Sequence, residues 1–402
     1  MIYTMTDNKT IQTQLIHAPR KAPQYIASIQ PPLFRASTII FPSTAHLFDR
    51  HWTDAYDYSY GTHGTPTTYT LADQLAQLEG GTHCLLAPSG LSAINLVNST
   101  FLNQGDEVWV PDNVYGPNME HLKNLQQRYG IIVKVYNPID ANSFTPSAHT
   151  KLIWLEAAGS VTLEFPDLKN LVKKARQANV LIALDNTWGA GLAFNAFDFS
   201  DEHLSVDITV HALTKYPSGG GDILMGSVIT RDQKLYHQLF KMHATQGICV
   251  SGDDTAQVIR SLPHIRLRYQ QQAKTTQDLL AWLKQQPEFA QALHPADANS
   301  PGHAFWQEIC IDQQSAGLVS VIFQANYDIS AVRRFCDALT LFKLGFSWGG
   351  PVSLVMLYDL KQMRVLPNTH LQQGLLVRFC IGLESAQDLI QDIQNALQQI
   401  EK

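Results

Sequence analysis

Short, continuous apolar runs alternate with helical patterns through much of the chain. Runs at Cys84–Ala87, Glu107–Val110, Ile131–Tyr136, Leu152–Glu156, Val180–Leu184 and Asp207–His211 predict strands, and helical stretches near Leu91–Asn103, Pro117–Arg128 and Leu168–Gln177 separate them. Strands that are apolar throughout, rather than alternating, belong to a parallel sheet covered by helices on both faces. Ile223–Ile229 reads as a seventh strand whose short connection leaves an antiparallel direction open. Ahead of these lies an amphipathic helix, Leu71–Glu79, stopped by Gly80-Gly81.

Beyond the seventh strand the pattern changes. A long helical stretch from Asp254 to about Gln286 leads out, and the strand candidates Gly317–Gln324 and Leu376–Ile381 alternate with amphipathic helices at Ile329–Leu339 and Ser385–Gln399. Residues 1–62 are rich in Pro, Ser and Thr, show no convincing helix before Thr44–Arg50, and cannot form a core of their own. The expected organisation is an N-terminal arm (1–62), a large α/β domain (63–256) with a mostly parallel seven-stranded sheet, and a smaller α/β C-terminal domain (257–402).

Composition narrows the function classes. A chain of 402 residues is long enough for two domains. Its net charge of −6 carries no basic block or stripe, so nucleic acid is not an expected partner. Five scattered cysteines without a CxxC pair argue against a disulfide framework and against a metal site. The polar N-terminus lacks the apolar segment of a signal peptide, and no 18-residue apolar run spans a membrane, so a soluble cytoplasmic protein is expected.

The chemistry lies at strand ends. Lys215 follows the run Val206–Val210 in VHALTKYPSGGG; Asp185 follows Val180–Leu184; Ser89-Gly90-Leu91 follows Cys84–Ala87 and opens a helix. Ligands of open α/β sheets bind at the carboxyl ends of the strands. Each signal has an ordinary alternative: a surface lysine, a helix-capping carboxylate, a plain Pro-Ser-Gly helix start. Together they suit pyridoxal 5′-phosphate, which needs an amine for its aldehyde, an acid for its ring nitrogen and helix-start N–H groups for its phosphate. A free lysine has a pKa near ~10.4, so desolvation or a neighbouring cation must lower it. Arg378, in the strand candidate Leu376–Ile381, needs an anionic partner if buried. An amino-acid α-carboxylate fits its planar fork, with a protein carboxylate as the alternative.

These motifs, with Tyr58–Thr67, Asn113-Val114-Tyr115-Gly116, Phe346–Gly350 and Val377–Glu384, resemble the Cys/Met-metabolism family of pyridoxal-phosphate enzymes over nearly the whole chain, from about residue 25 onward. Within the family the chain is most similar to the β-lyases of cystathionine. The resemblance implies the type I pyridoxal-phosphate transferase fold and a homotetramer, a dimer of dimers with active sites shared between subunits and the arm packed on a neighbour. It implies Lys215 as the Schiff-base and proton-carrying residue and Asp185 as the partner of the ring nitrogen. Tyr115 would stack on the ring, though a core tyrosine remains the alternative. Ser89, Gly90, Leu91 and Thr214 would hold the phosphate, with Tyr60 and the residue at 62 reaching across the subunit boundary. Catalytic roles fall to Lys215, Tyr115 and Tyr60; Arg378, Ser347, Trp348 and Tyr115 would recognise the sulfur amino acid.

Departures from the family pattern accompany the match. Thr62 stands where an arginine is usual, leaving His63 to compensate or the phosphate less firmly held; Ala212 replaces a frequent serine; Pro351-Val352 replaces an aromatic-Glu pair. Trp348 after the serine favours β-elimination, cleaving L-cystathionine to homocysteine, pyruvate and ammonia, with side activity on cysteine or cystine. Cystathionine γ-lyase, γ-synthase or cysteine desulfhydrase chemistry, or a cofactor-free binding protein on the same scaffold, are the other readings.

Overall fold

The computed structural model of the chain describes residues 10–17, 28–50, 57–199, 204–367 and 370–400. Parts of the expected arm, residues 1–9, 18–27 and 51–56, lie outside these, and with them residue 25, the expected start of the family likeness.

All seven strands of the large sheet form where the apolar runs predict them: β1 His83–Ala87, β2 Glu107–Pro111, β3 Ile132–Tyr136, β4 Thr150–Glu156, β5 Leu181–Asp185, β6 Ile208–Ala212 and β7 Gly226–Thr230. Their spatial order is β1-β7-β6-β5-β4-β2-β3, and β7 alone runs antiparallel to its neighbours. The apolar runs are continuous because successive residues enter opposite cores. Val108, Val110, Leu152 and Trp154 join one buried cluster with Ala93 and Val97 of helix Gly90–Phe101. Trp109, Ile153 and Leu155 join another with Leu71 and Leu75 of helix Pro66–Glu79. Helix Pro66–Glu79 starts earlier than its apolar face because Thr65 and Thr68 cap each other's backbone and Pro66 occupies the first turn.

A second sheet is fuller than the two strand candidates indicate. Besides β9 Leu318–Phe323 and β12 Leu375–Cys380 it contains β8 Phe289–Leu293, β10 Lys343–Leu344 and β11 Leu354–Asp359, in the order β10-β11-β12-β9-β8. Val319, Val321, Val377 and Phe379 turn one face toward Val332 and Phe335 of helix Ile329–Ala338 and Leu389 of helix Ala386–Leu397. Arg378, between Val377 and Phe379, faces the other side.

Two helical expectations need correction. The stretch Asp254–Gln286 is not one helix: Gly252–Ser261 and Ile265–Leu283 are separated by the 3-10 turn Leu262–His264. Pro263 lacks the N–H that a continuous ladder requires. A helix at Ile11–Ile16, buried through Leu15, precedes Thr44–Asp49 in the arm. No helix among the described residues is long and apolar enough to cross a membrane.

Candidate active site

Since β7 opposes both β1 and β6, the remaining strands run one way, and the carboxyl ends of β1, β2, β4, β5 and β6 share one edge. Ser89, Tyr115, Glu156, Asp185 and Lys215 follow or end these strands and are therefore gathered there.

Asp185 ends β5. Its Oδ1 accepts the Thr187 amide at 3.0 Å and the Thr187 hydroxyl at 2.5 Å. The same hydroxyl oxygen accepts the Ala212 amide at 3.0 Å, which ties β5 to the end of β6. Burial raises the Asp185 carboxyl, against the Thr187 bonds, His211 and Lys215, which favour its ionised form.

Lys215 sits one turn past β6, its amide donating to the Ala212 carbonyl at 3.1 Å. Burial, followed by the Arg378 guanidinium, lowers its amine, while Asp185 opposes the shift. Nζ lies 5.7 Å from the centre of the Trp348 ring. That ring meets Tyr216 edge-on at 5.7 Å. A Cβ on Gly349 would come within 2.9 Å of the Tyr216 amide nitrogen, so only glycine lets the 347–350 segment lie this close to the lysine turn. Ser347 occupies φ 97°, a conformation that costs an L-residue energy, and its hydroxyl is buried with no hydrogen-bond partner among the described residues.

Arg378 is 4% exposed. One N–H reaches the Ser160 carbonyl at 2.6 Å and the guanidinium lies over the Tyr358 ring at 5.4 Å. Nε has no partner, and no carboxylate forms an ion pair with it among the described residues. A buried guanidinium left in this state can receive an anion.

Tyr115 opens helix Gly116–Tyr129 and is 37% exposed. Its amide donates to Glu156 Oε2 at 2.7 Å. Burial, with Asp185 and Glu156, raises its phenol, which keeps the hydroxyl protonated. At the next strand end, Ser89 spends its hydroxyl capping the Ser92 amide at 3.0 Å, leaving the Gly90 and Leu91 amides outside the helix ladder. A Cβ on Gly90 would meet Ala212 Cβ at 2.6 Å, so the small residue at 212 and the glycine fit one another. Thr214 accepts the Met225 amide at 3.4 Å, which leaves its hydroxyl proton free to donate.

Tyr60 and Thr62 stand apart from this group within the chain. Tyr60 is 48% exposed, bridges Thr38, and shares no hydrogen bond with the strand-end residues among those described. His63 bonds Ser59 through Nδ1 at 2.7 Å, and burial followed by Arg50 holds its imidazole below the ordinary value, toward the neutral form. A cavity of about 720 Å³ opens beside the Tyr115 helix, lined in part by Leu91, Asn113, Gly116 and Arg364. Lys215, Asp185 and Arg378 do not line it.

Several members of the site escaped the sequence reading. Thr187 is one; its spacing two residues after a turn-forming aspartate was a usable signal. Glu156, a carboxylate ending an apolar strand, carries the same signal that drew attention to Asp185. Its Oε1 accepts the Ser160 amide at 2.8 Å, and burial together with Asp185 raises its carboxyl to about 8. His211 and Glu79, a buried pair joined at 2.7 Å behind the edge, had no distinguishing pattern.

A strand-end acid, an amine, helix-start amides and a buried guanidinium with its Nε unpartnered fit an amino-acid substrate on pyridoxal phosphate. The sequence model of the family described as Cys/Met metabolism PLP-dependent enzyme matches residues 12–398. The chain is 36% identical to a cystathionine β-lyase of Bordetella avium, covering 98% of both chains. It is also 29% identical to an L-alanine/L-glutamate racemase of Wolbachia pipientis wMel, over 95% of this chain and 96% of that one. Among solved structures, cystathionine γ-synthase of Xanthomonas oryzae pv. oryzae, in complex with aminoacrylate and cysteine, superposes with a TM-score of 0.85 at 25% identity, covering 98% of this chain and 99% of that one. The fold is the type I fold of pyridoxal-phosphate enzymes.

Proposed function

This chain belongs to the Cys/Met metabolism PLP-dependent enzyme family, and from that premise we propose that it cleaves the Cβ–S bond of L-cystathionine, with side activity on cysteine and cystine. The observation that carries the reading is Arg378: a buried guanidinium with Nε unpartnered, close enough to Lys215 to lower its amine. Such a pair receives an α-carboxylate beside a base.

Bound pyridoxal phosphate supplies an aldehyde that joins amines and a ring that accepts the electrons released at the substrate α-carbon. The protein's residues supply the rest. Asp185, held by Thr187, would pair with the ring nitrogen. The Gly90 and Leu91 amides and the Thr214 hydroxyl would hold the phosphate, with Ser89 shaping the helix start, and Tyr115 would stack against the ring. Arg378 and Ser347 would fix the α-carboxylate, beside the amine of Lys215. As a free amine, that nitrogen takes the α-proton, and a thiolate departs from Cβ; water then completes the products homocysteine, pyruvate and ammonia. Trp348 shields the amine from solvent.

In the same reading the protein is a homotetramer in which Tyr60 and Thr62 of one subunit reach the phosphate of the next. The arm supports this through Ile40 and Phe48, 90% and 80% exposed, apolar surface that an isolated chain leaves uncovered.

The test is parallel incubation with L-cystathionine, L-cystine, an O-activated homoserine and L-alanine. Pyruvate from cystathionine supports the reading. 2-Oxobutyrate instead moves the reaction to Cγ, and inversion of alanine without keto acid moves it to racemisation. Borohydride reduction followed by peptide mass spectrometry places the cofactor on Lys215, and the label is absent from Lys215→Ala.

A further inference from the structure

Glu156 and Asp185 end neighbouring parallel strands as Cα partners in register. Register partners project to the same side of a sheet. Two carboxyls so placed, one of them 5% exposed, repel each other, and a single shared proton relieves the repulsion. Their hydrogen bonds differ in kind. Among the described residues Asp185 accepts only from its own turn, through Oδ1. Glu156 accepts from two loops at once: the Tyr115 amide at 2.7 Å on Oε2 and the Ser160 amide at 2.8 Å on Oε1. The Ser160 carbonyl in turn takes the Arg378 N–H at 2.6 Å. One carboxyl therefore fastens both the loop that carries the stacking ring and the loop that seats the guanidinium fork.

Both oxygens of Glu156 face N–H donors, the arrangement of an ionised carboxylate. A proton on either oxygen competes with one of those bonds. His211 and Lys215 favour the ionised form of Asp185, which leaves the shared proton to Glu156. His211 is bonded to Glu79, Lys215 is turned toward Trp348, and Arg378 acts on Glu156 only through Ser160. Tyr115 and Tyr136, the other titratable groups beside it, are phenols kept protonated by burial. Burial and Asp185 raise Glu156 to about 8, in keeping with a proton held at neutral pH.

We propose that Glu156 couples cofactor loading to assembly of the substrate site: the Glu156–Asp185 pair holds one proton in the empty protein, and docking of a protonated pyridine nitrogen on Asp185 expels that proton to solvent. Glu156 is then left ionised as the double acceptor for Tyr115 and Ser160. The inference rests on Asp185 facing the ring nitrogen. A 3-hydroxypyridine ring already carries a proton on nitrogen at neutral pH, because its phenoxide stabilises the cation. Its arrival thus adds a positive charge next to Asp185, and the shared proton is no longer needed. The O–H bond of the pair breaks, the carboxylate keeps the electrons, and the proton goes to water. Glu156 is a positioning residue: it acts on ring and carboxylate through Tyr115, Ser160 and Arg378.

The experiment measures proton release when 4-deoxypyridoxine 5′-phosphate binds the cofactor-stripped protein, by calorimetry in buffers of different ionisation enthalpy. This probe has ring and phosphate but no aldehyde, so Lys215 chemistry does not contribute. At pH 7 the wild-type protein and Glu156→Asp release about one proton more per ligand than Glu156→Gln. Wild-type release falls toward the Glu156→Gln value by pH 9, where the pair has already ionised. Equal counts in wild type and Glu156→Gln, or a wild-type count flat from pH 7 to 9, overturn the proposal; the second comparison holds even if Glu156→Gln does not fold. If probe affinity is unchanged in Asp185→Asn, the placement of the ring fails instead. The two failures are therefore separable.

Discussion

Thr187 donates its hydroxyl to Asp185 Oδ1 at 2.5 Å while accepting the Ala212 amide at 3.0 Å. The acid at the end of β5 is thereby held by the strand that leads to Lys215. Thr187→Val keeps the shape, removes a hydrogen bond to a charged group and leaves the Ala212 amide without its acceptor. A charged hydrogen bond is worth about 1.5–3 kcal/mol, so cofactor affinity is expected to fall roughly 10- to 100-fold. Because Thr187 favours the ionised carboxylate, its loss raises the Asp185 carboxyl, and retention of cofactor fails at a higher pH on acidification than in the wild type. Absorbance titration of cofactor against the stripped protein checks both effects.

Arg378 offers a second, independent test. Arg378→Lys keeps the charge but not the planar fork, so kcat/KM for an amino-acid substrate drops roughly 10- to 100-fold with cofactor affinity unchanged. Arg378→Ala adds a pH effect. The guanidinium lowers the Lys215 amine; without it the amine holds its proton to higher pH, and the acid limb of the kcat/KM profile moves upward. In Arg378→Lys that limb stays near its wild-type position. A limb that does not move in Arg378→Ala contradicts the electrostatic link.

The sequence shows the large sheet clearly because its central strands are buried on both faces, which leaves nearly uninterrupted apolar runs; the edge strand β3, IVKVY, is interrupted by a lysine and partly exposed. The small sheet shows less. β10 spans only Lys343–Leu344, and β8, FAQAL, carries a polar residue at its centre. The site divides in the same way. Lys215 and Asp185 stand out as charged residues after apolar strands, and Gly90 as a glycine opening a helix. Glu156 sits as conspicuously at the end of β4, yet its meaning depends on its being opposite Asp185, which is a fact of strand order. Glu79 and His211 are 132 residues apart, and nothing local marks them as a pair. The missing Nε partner of Arg378 is likewise visible only once the small sheet lies on the Ser160 loop.

Thr62 is a departure from the family pattern with a measurable consequence. A hydroxyl can bond a phosphate but cannot neutralise it, and His63 is biased toward its neutral form by burial and Arg50. Thr62→Arg is therefore expected to tighten cofactor binding by roughly tenfold or more through a charge-assisted contact. Dissociation of cofactor from the holoenzyme, followed by dilution and gel filtration, reads this out. Unchanged dissociation shows that the phosphate does not lack a cation in this protein.

The last prediction concerns stability. Glu164 is fully buried where the loop after β11 meets the connection after β4. It accepts from Asn113 at 2.8 Å, Thr162 at 2.6 Å, Arg364 at 2.5 Å and His370 at 2.5 Å. Burial alone would raise this carboxyl, but the bonds from His370, Arg364 and Thr162 hold it at about 2. Its folded pKa lies below that of an unfolded glutamate, so its contribution is complete above about pH 4.5 and disappears as pH falls through the folded value near 2. A shift of this size corresponds to about 3 kcal/mol. Glu164→Gln should cost roughly that much at pH 7, since the single amide nitrogen must replace either the oxygen that accepts from His370 or the one that accepts from Arg364, Asn113 and Thr162, setting donor against donor there. Urea unfolding midpoints of the two proteins should converge as pH is lowered from 5 toward 3. A gap that persists unchanged across that range assigns the loss to packing, and the carboxylate is then not what holds this loop against the large sheet.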